Sequence, residues 1–159
     1  MGPLSPDRRP VRRRELLAGL GGVGLVGSAG CLSALGLADR GPVSAKYIRR
    51  VTASQTGIIL FDSVEGDRQI ATAHERQLPA SGRIYVSQQL HETLAATYRA
   101  VEYRIRHDCC EPSRQALVSR GDFNSLAIGD VATLRYGAPG ERATVVGVEK
   151  ATGDATDTS

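Results

Sequence analysis

The pattern of apolar and polar positions predicts a chain dominated by β-strands. Residues 101–106 alternate strictly between the two classes, and residues 83–87 alternate in the same way. Because successive strand residues point to opposite faces, this alternation is typical of a sheet with one face on a core. Residues 58–61 form a short run without a polar position, which indicates a buried strand.

One helix is predicted between residues 88 and 100. Leu90, Leu94 and Tyr98 recur at a spacing of four residues and therefore fall on one face of a helix. Ser87 precedes this segment, and serine is one of the residue types that cap a helix N-terminus.

A hairpin is predicted near the end of the chain. Two β-rich runs, 131–136 and 142–149, flank the loop Gly-Ala-Pro-Gly-Glu, and this arrangement predicts a hairpin over residues 131–149. The predicted fold class is therefore α+β: a small single domain over residues 46–150, dominated by antiparallel strands, with one short helix over residues 88–100.

The segments on either side of this domain are predicted to lack regular structure. Residues 31–45 read as a cysteine followed by a tether, because the stretch is short and is broken by Gly-Pro. Residues 151–159 have no apolar periodicity and are predicted to be a disordered tail.

A weak internal similarity relates two parts of the domain. Val-Ser at 86–87 is followed by Leu-Ala at 94–95, and both pairs recur at 118–119 and 126–127. Each copy precedes a predicted strand, which indicates a repeated unit in which Asp122 caps a single turn in the second copy. Chance similarity is the alternative.

The first 38 residues have the layout of an export signal. Arginines precede an uncharged run from Leu16 to Ala38, and six glycines lie between Gly19 and Gly30. Each glycine weakens a helix by roughly 1 kcal/mol relative to alanine. The weakly apolar run after a basic segment is therefore typical of a secretory signal.

A pair of arginines makes this signal more specific. Arg13 and Arg14 are followed by one residue and then by Leu16 and Leu17. This motif resembles a twin-arginine translocation signal, which implies recognition by an export machinery and export in the folded state.

The end of the apolar run resembles a lipobox. In Ser28-Ala29-Gly30-Cys31 a cysteine follows small residues, although lipoboxes usually carry leucine where Ser28 stands. The resemblance implies that residues 1–30 are a signal peptide and that Cys31 is lipidated. Together the twin arginines, the glycine-rich run and this cysteine resemble secreted lipoproteins of halophilic archaea. Surface domains of that class are usually acidic, so a bacterial lipoprotein is the alternative.

Three outcomes stay open for this segment: lipidation at Cys31, cleavage near residues 36–38, and retention as an anchor, since the run is long enough to cross a bilayer. All three place residues 39–159 outside the cytoplasmic membrane. The expected location is its outer face, where the protein is held by a lipid anchor or the apolar segment. A single-pass membrane protein and a secreted protein are the alternatives.

The distribution of charge argues against nucleic acid as a partner. The chain has 20 Lys and Arg residues, and five arginines precede the apolar run. From Cys31 onward, 15 basic residues balance 15 acidic ones, whereas a nucleic-acid binder needs an excess of basic surface on its folded domain. Within the domain, Arg49, Arg50, Arg104 and Arg106 are candidates for pairing with carboxylates; solvated side chains are the alternative.

One compact cluster of reactive residues, His107, Cys109 and Cys110, follows the strand predicted at residues 101–106. Neighbouring Cα atoms lie about 3.8 Å apart, below the usual disulfide range of about 4.4–6.8 Å. A vicinal disulfide would therefore be strained and easily reduced, and would serve as a redox or conformational device. A bridge between two copies of the chain is a further alternative.

The same cluster could bind zinc or copper(I), because thiolates and imidazole suit those ions. Adjacent residues on a regular strand point to opposite faces, which prevents both cysteines from binding one ion. A turn at Pro112 would remove that objection. The alternative is a pair of half-buried thiols beside a surface histidine, with no ligand.

The sequence contains no recognised catalytic constellation, because it lacks a G-x-S-x-G motif and a second cysteine or histidine pair. The leading interpretation is a cell-surface lipoprotein with a non-enzymatic binding or scaffolding domain. Its expected partner is an unidentified envelope ligand or protein, and no cofactor is expected for this interpretation. The alternative is an extracytoplasmic metal-handling or thiol-redox protein that uses His107, Cys109 and Cys110. An enzyme with a site assembled from distant residues is a third hypothesis.

Overall fold

The computed structural model describes residues 37–139 and 141–152, and these form a strand-dominated α+β domain. In chain order the elements are β1 (Asp39–Val51), β2 (Thr56–Ser63), β3 (Arg68–Ile70), a 3₁₀ turn (Thr72–His74), α1 (Gln88–Thr97), β4 (Ala100–His107), β5 (Arg114–Val118), α2 (Arg120–Ser125), β6 (Val131–Arg135) and β7 (Thr144–Glu149). The strands predicted around residues 58–61 and 101–106 are confirmed as β2 and β4.

Strand β1 organises the fold because it belongs to two antiparallel sheets. Its C-terminal part lies in the centre of the sheet β3-β2-β1-β4-β5. Its first residues, Asp39 to Pro42, pair instead with β6, which pairs with β7. The backbone N–H of Ala143 donates to the Leu117 carbonyl at 2.7 Å and links the far sides of the two sheets.

The tether predicted over residues 31–45 is wrong for residues 39–45, which form the first half of β1. The Gly-Pro pair was interpreted as an interruption of regular structure, but both Gly41 and Pro42 belong to the strand. A Cβ atom on Gly41 would lie 2.7 Å from the backbone of Asp108 and Cys109, so only glycine fits there. The Pro42 carbonyl accepts a hydrogen bond from Asp108 N at 2.9 Å. The first strand therefore begins at Asp39, and residues 39–45 belong to the domain.

The strand predicted at residues 83–87 is also wrong, although the alternation correctly marks the buried side chains Ile84 and Val86. The segment is extended but pairs with no strand among the described residues. The side chain of Asn124 takes the role of a neighbouring strand: Val86 N donates to Asn124 Oδ1 at 2.8 Å, and Asn124 Nδ2 donates to Val86 O at 2.9 Å.

The predicted helix is confirmed as α1. It ends at Thr97 and not at residue 100, since Ala100 is already the first residue of β4. Its predicted cap is also confirmed, since Leu90 N donates to Ser87 Oγ at 3.1 Å. A single helix was predicted, but the described residues contain a second one, α2.

Helix α2 begins in the same way as α1. Asp122 N donates to Ser119 Oγ at 3.0 Å, so Ser119 is the cap and the prediction that Asp122 caps this turn is wrong. The two Val-Ser steps of the internal similarity therefore begin two serine-capped helices, and an antiparallel strand follows each helix. The predicted C-terminal hairpin is confirmed by the antiparallel pairing of β6 with β7, from Val131 opposite Glu149 to Arg135 opposite Thr144.

Both α-helices pack on one face of the five-stranded sheet. Tyr103 of β4 contacts Phe123 of α2, with ring centroids 5.3 Å apart, and the Tyr103 hydroxyl lies 2.8 Å from His91 Nδ1 of α1. The core between helices and sheet contains the ionisable side chain of Lys46, which is 2% exposed. The largest fully buried apolar side chains are Phe123, Ile48, Ile59, Leu60, Leu94, Ile105, Leu126 and Leu134.

The export and anchor signals lie outside the described residues. These include Arg13, Arg14, Leu16, Leu17 and Cys31, and the tail from residue 153 onward lies outside as well. Over residues 37–139 and 141–152, no helix has the length and apolar character needed to cross a membrane.

Candidate functional site

His107 is a fully buried residue at the end of β4. Its Nε2 atom lies 3.1 Å from the Ala132 carbonyl, and its Nδ1 atom lies 2.9 Å from the Tyr136 hydroxyl. Because a carbonyl oxygen only accepts, Nε2 carries the proton, and Nδ1 accepts from Tyr136. Burial lowers the pKa of His107, so the ring is neutral at pH 7. The expected surface histidine is therefore an interior residue that joins β4 to β6.

The predicted cluster is divided by this arrangement. Both ring nitrogens of His107 already bind protein groups, and metal ligation by the ring would break one of those bonds. Within the part of the chain that the structure describes, no three His, Cys, Asp or Glu side chains are grouped as a metal site. The two thiols lie in the loop that follows β4, where Cys109 is half-buried and Cys110 is exposed.

The two cysteines face each other. Their Sγ atoms are 3.0 Å apart, and the Cys110 thiol donates to the Pro112 carbonyl at 3.6 Å. The chain bends from Cys109 to Pro112 instead of continuing as a strand. The objection that adjacent cysteines point to opposite faces therefore does not apply, because a turn brings both thiols to one side.

The environment of Cys109 keeps its thiol protonated at neutral pH. Burial is the main cause and the neighbouring Cys110 thiol adds to it, and together they raise the pKa of Cys109 to about 11. Cys110 is more accessible to solvent and to an incoming reagent.

An open cavity of about 530 Å³ lies beside the thiols. Its charged lining combines the Arg106 guanidinium from β4 with the carboxylates of Glu65, Asp108 and Glu111. We name this cavity, with these four residues and the two cysteines, the thiol cleft. It offers one cationic group, three anionic groups and two thiols to a small molecule.

The second surface of interest is the sheet face opposite the helices. On β4 the half-buried residues Glu102, Arg104 and Arg106 alternate with buried residues that point into the core. Strand register places Tyr47 and Arg49 of β1 beside them. We name this sheet face the open face, defined by the buried Tyr47 and the half-buried Arg49, Phe61, Glu102, Arg104 and Arg106.

The open face combines aromatic rings with arginines. Arg104 Nε donates to Glu102 at 2.8 Å, and an Arg49 nitrogen lies 3.9 Å from the same carboxylate. Arg106 Nη2 donates to the Tyr47 hydroxyl at 3.0 Å, and in the described ranges no carboxylate lies within ion-pair distance of it. The prediction that arginines pair with acids therefore holds for Arg49 and Arg104. Among the described residues neither Arg50 nor Arg106 has an ion-pair partner, and the Arg50 guanidinium lies instead 5.5 Å from the centroid of the Tyr98 ring.

The aromatic part of the open face comes from strands that sequence reasoning did not place beside β4. The rings of Tyr47 and Phe61 lie 5.2 Å apart, on β1 and β2. The alternation of residues 101–106 could have identified the arginine row, because its polar positions share one face. Nothing local indicates that β1 runs beside β4.

Lys46 is a further reactive group that sequence reasoning missed. Its Nζ atom donates to the carbonyls of Phe123 and Leu126, both at 2.7 Å, and lies 4.1 Å from the centroid of the Phe123 ring. Burial, with a smaller contribution from Arg83, lowers the pKa of Lys46 to about 7. The nitrogen thus lies in the core, against the C-terminal end of α2.

Comparison with known proteins identifies no relative of this chain. No family model matches it, and no match was found among curated proteins or solved structures.

Proposed function

We propose that this protein is an exported, membrane-anchored domain that binds a carboxylate-bearing polymer of the cell envelope through its open face, without catalysis. The observation that carries this proposal is Arg106, a half-buried arginine on an aromatic sheet face, with no carboxylate partner within the described ranges.

Charge favours an anionic ligand for the open face. Its residues include three guanidinium groups and one carboxylate, Glu102, which Arg49 and Arg104 share. Arg106 also lines the thiol cleft with Glu65, Asp108 and Glu111, but none of these carboxylates is within ion-pair distance of it. The Arg106 guanidinium is held in place by the Tyr47 hydroxyl, so little conformational freedom is lost when it binds. Arginine can donate two parallel hydrogen bonds to a carboxylate, and these charge-assisted bonds are stronger than neutral ones.

The anchored location is supported by the N-terminal signals, and the start of β1 limits how far from the membrane an anchored domain would lie. If Cys31 carries the lipid, eight peptide steps join it to Asp39, and an extended chain of that length spans at most about 28 Å. Because residues 39–45 belong to β1 and not to a tether, the domain would be held close to the bilayer and near other envelope components. Retention of the apolar segment would hold it similarly close, whereas cleavage near residues 36–38 would release it.

Binding is tested by isothermal titration with polygalacturonate at low ionic strength, with neutral dextran as the control polymer. We expect polygalacturonate to bind and dextran not to bind. We expect Arg106→Gln to weaken binding by about ten- to a hundredfold, since a hydrogen bond to a charged group contributes roughly 1.5–3 kcal/mol. Arg99→Gln, an exposed change of the same charge just before β4, should leave binding unchanged. The proposal would be refuted if polygalacturonate did not bind, or if dextran bound equally well. It would also be refuted if Arg106→Gln bound polygalacturonate as tightly as the wild type does.

The anchor is tested by the intact mass of the protein purified from the membranes of its own host. A chain that begins at Cys31 and carries added lipid supports the lipoprotein assignment. A chain that retains residues 16–38 without lipid supports the single-pass alternative, and a soluble chain that begins near residue 38 supports secretion.

A second function, extracytoplasmic thiol–redox chemistry, is favoured by the 3.0 Å separation of the Cys109 and Cys110 sulfurs. Metal handling with zinc or copper would have to use these thiols without the engaged ring of His107. The double variant Cys109→Ser, Cys110→Ser tests both ideas. Unchanged metal content, stability and redox behaviour relative to the parent would mean that the thiols are passive.

A further inference from the structure

We propose that the thiol cleft exchanges with a small disulfide that carries both an ammonium and a carboxylate group, as amino-acid and short-peptide disulfides do. This inference rests on the thiol–redox function above and names its substrate class. It draws on the charged groups that share the cavity with the two cysteines.

The lining of the cleft matches a ligand with charges of both signs. Arg106 can bind a carboxylate, and Glu65, Asp108 and Glu111 can bind an ammonium group. A disulfide with carboxylates alone would meet three carboxylates of its own sign. A disulfide with ammonium groups alone would leave Arg106 unused and would be repelled by it. A zwitterionic disulfide engages both kinds of group.

The cavity is large enough for such a molecule and remains open to solvent. Its volume of about 530 Å³ lies within the usual range of small-molecule sites, roughly 300–1,000 Å³. The exposed thiol of Cys110 and the half-buried thiol of Cys109 both line it. A disulfide held there reaches Cys110 first.

The reaction is a two-step thiol–disulfide exchange. The Cys110 thiolate attacks one sulfur of the incoming disulfide, forms a mixed disulfide, and expels one small thiolate, which takes up the proton that Cys110 released. The sulfur of the Cys109 thiol then attacks the Cys110 sulfur and gives its proton to the departing sulfur, so that the second small thiol leaves. Two protein thiols are oxidised and one small disulfide is reduced to two thiols, so no other oxidant is needed.

The second step is favoured by the position of the sulfurs. Cys109 Sγ and Cys110 Sγ lie 3.0 Å apart on the same side of the loop, so the resolving thiol already stands beside the sulfur that it attacks. The product is a vicinal disulfide, which the same small thiols can reduce in the reverse reaction.

The test measures the oxidation rate of the reduced full chain with three disulfides: cystine, which carries both charges; cystamine, which carries ammonium groups; and dithiodiglycolate, which carries carboxylates. Every protein carries Cys31→Ser, so that of the chain's three cysteines only those of the cleft remain. Mass spectrometry follows the loss of two protons. Each variant is compared with its parent for the same disulfide, so that the intrinsic reactivity of the reagent cancels.

Two charge variants separate the substrate classes. We expect Arg106→Gln to slow oxidation of the protein by cystine and by dithiodiglycolate about three- to tenfold, and to accelerate oxidation by cystamine. We expect Glu65→Gln to slow oxidation by cystine and by cystamine, and to accelerate oxidation by dithiodiglycolate. Only a disulfide that uses both of its charges should react more slowly with both variants. Arg99→Gln, exposed and remote from the cleft, should alter no rate.

Failure of the substrate class and failure of the redox function give different results. If no disulfide oxidises the pair Cys109 and Cys110, the thiol–redox function itself is refuted. If the pair is oxidised but neither variant slows cystine, the redox function stands and the proposed substrate class is overturned.

Discussion

Replacement of the buried Lys46 by methionine should change how stability depends on pH. The Lys46 side chain lies in the core, where it donates to the carbonyls of Phe123 and Leu126. A neutral amine still has two N–H groups, one for each carbonyl, so loss of the proton does not leave either acceptor without a donor. Methionine has a similar length but can neither donate nor carry charge.

The magnitude follows from the lowered pKa of Lys46. Its fall from 10.5 to about 7 corresponds to about 5 kcal/mol of preference for the neutral form in the folded state. Burial is the main cause; Arg83 and Lys150 also lower the pKa, whereas Asp62 and Asp130 raise it.

The sign of the pH effect follows from proton binding. Between pH 7 and about 10.5 the unfolded chain binds a proton at Lys46 that the folded chain does not bind. The free energy of unfolding therefore rises with pH in this window, by about 1.4 kcal/mol per pH unit. Below pH 7 the side chain is charged in both states, and the cost of burying the ammonium is fully present.

The assay compares wild type with Lys46→Met by urea unfolding, followed by circular dichroism under reducing conditions from pH 6 to pH 10. Methionine removes the burial cost but leaves Phe123 O and Leu126 O without a donor, at about 1–3 kcal/mol each. We expect similar stabilities at pH 6 and a growing advantage of the wild type up to pH 10. Parallel curves would refute this account, because they would mean that Lys46 keeps its proton when folded.

Three further predictions concern packing and capping, each measured as the change in the free energy of urea unfolding. Gly41→Ala should cost about 1–3 kcal/mol or more, because its Cβ would lie 2.7 Å from backbone atoms of Asp108 and Cys109. Gly121→Ala, which meets only Ser119 Oγ at 3.7 Å, is the control and should be neutral or stabilising by up to about 1 kcal/mol; equal losses in both would contradict the steric argument. Ser119→Ala should cost about 1 kcal/mol by removing the cap of α2, whereas no loss would mean that α2 is held by packing alone. Asn124→Ala should cost about 1–3 kcal/mol by leaving Val86 N without its acceptor. Asn124→Asp keeps that acceptor but replaces the Nδ2 donor to Val86 O by a carboxylate oxygen, so it should also be destabilising.

The candidate site was predictable only in part. The adjacent cysteines are visible in the sequence, and the bend that brings their sulfurs together was anticipated as a consequence of Pro112. The burial of the His107 side chain was not predictable from its hydrogen-bond partners. These partners, Ala132 and Tyr136, lie on or beside β6, 25 and 29 residues further along the chain. The alternation of His107 with Tyr103 and Ile105 already placed it on the buried face, which was the one local signal.

The sequence by itself determined the features that depend on neighbours along the chain. Alternation located β2 and β4, the position of Ser87 gave the start of α1, and the Gly/Pro loop gave the hairpin of β6 and β7. These features follow from local backbone preference and from the period of apolar residues.

The tertiary structure alone decided which segments meet. Residues 39–45 form a strand whose Gly41 lets the loop at Cys109 approach closely. Residues 83–87 pair with no described strand, and the backbone N–H and C=O of Val86 form hydrogen bonds with the Asn124 side chain. The tertiary structure also buried Lys46 against carbonyls 77 and 80 residues away. Burial of a polar group is costly unless partners satisfy it, and for Lys46 and His107 these partners come from distant segments whose meeting no local pattern specifies.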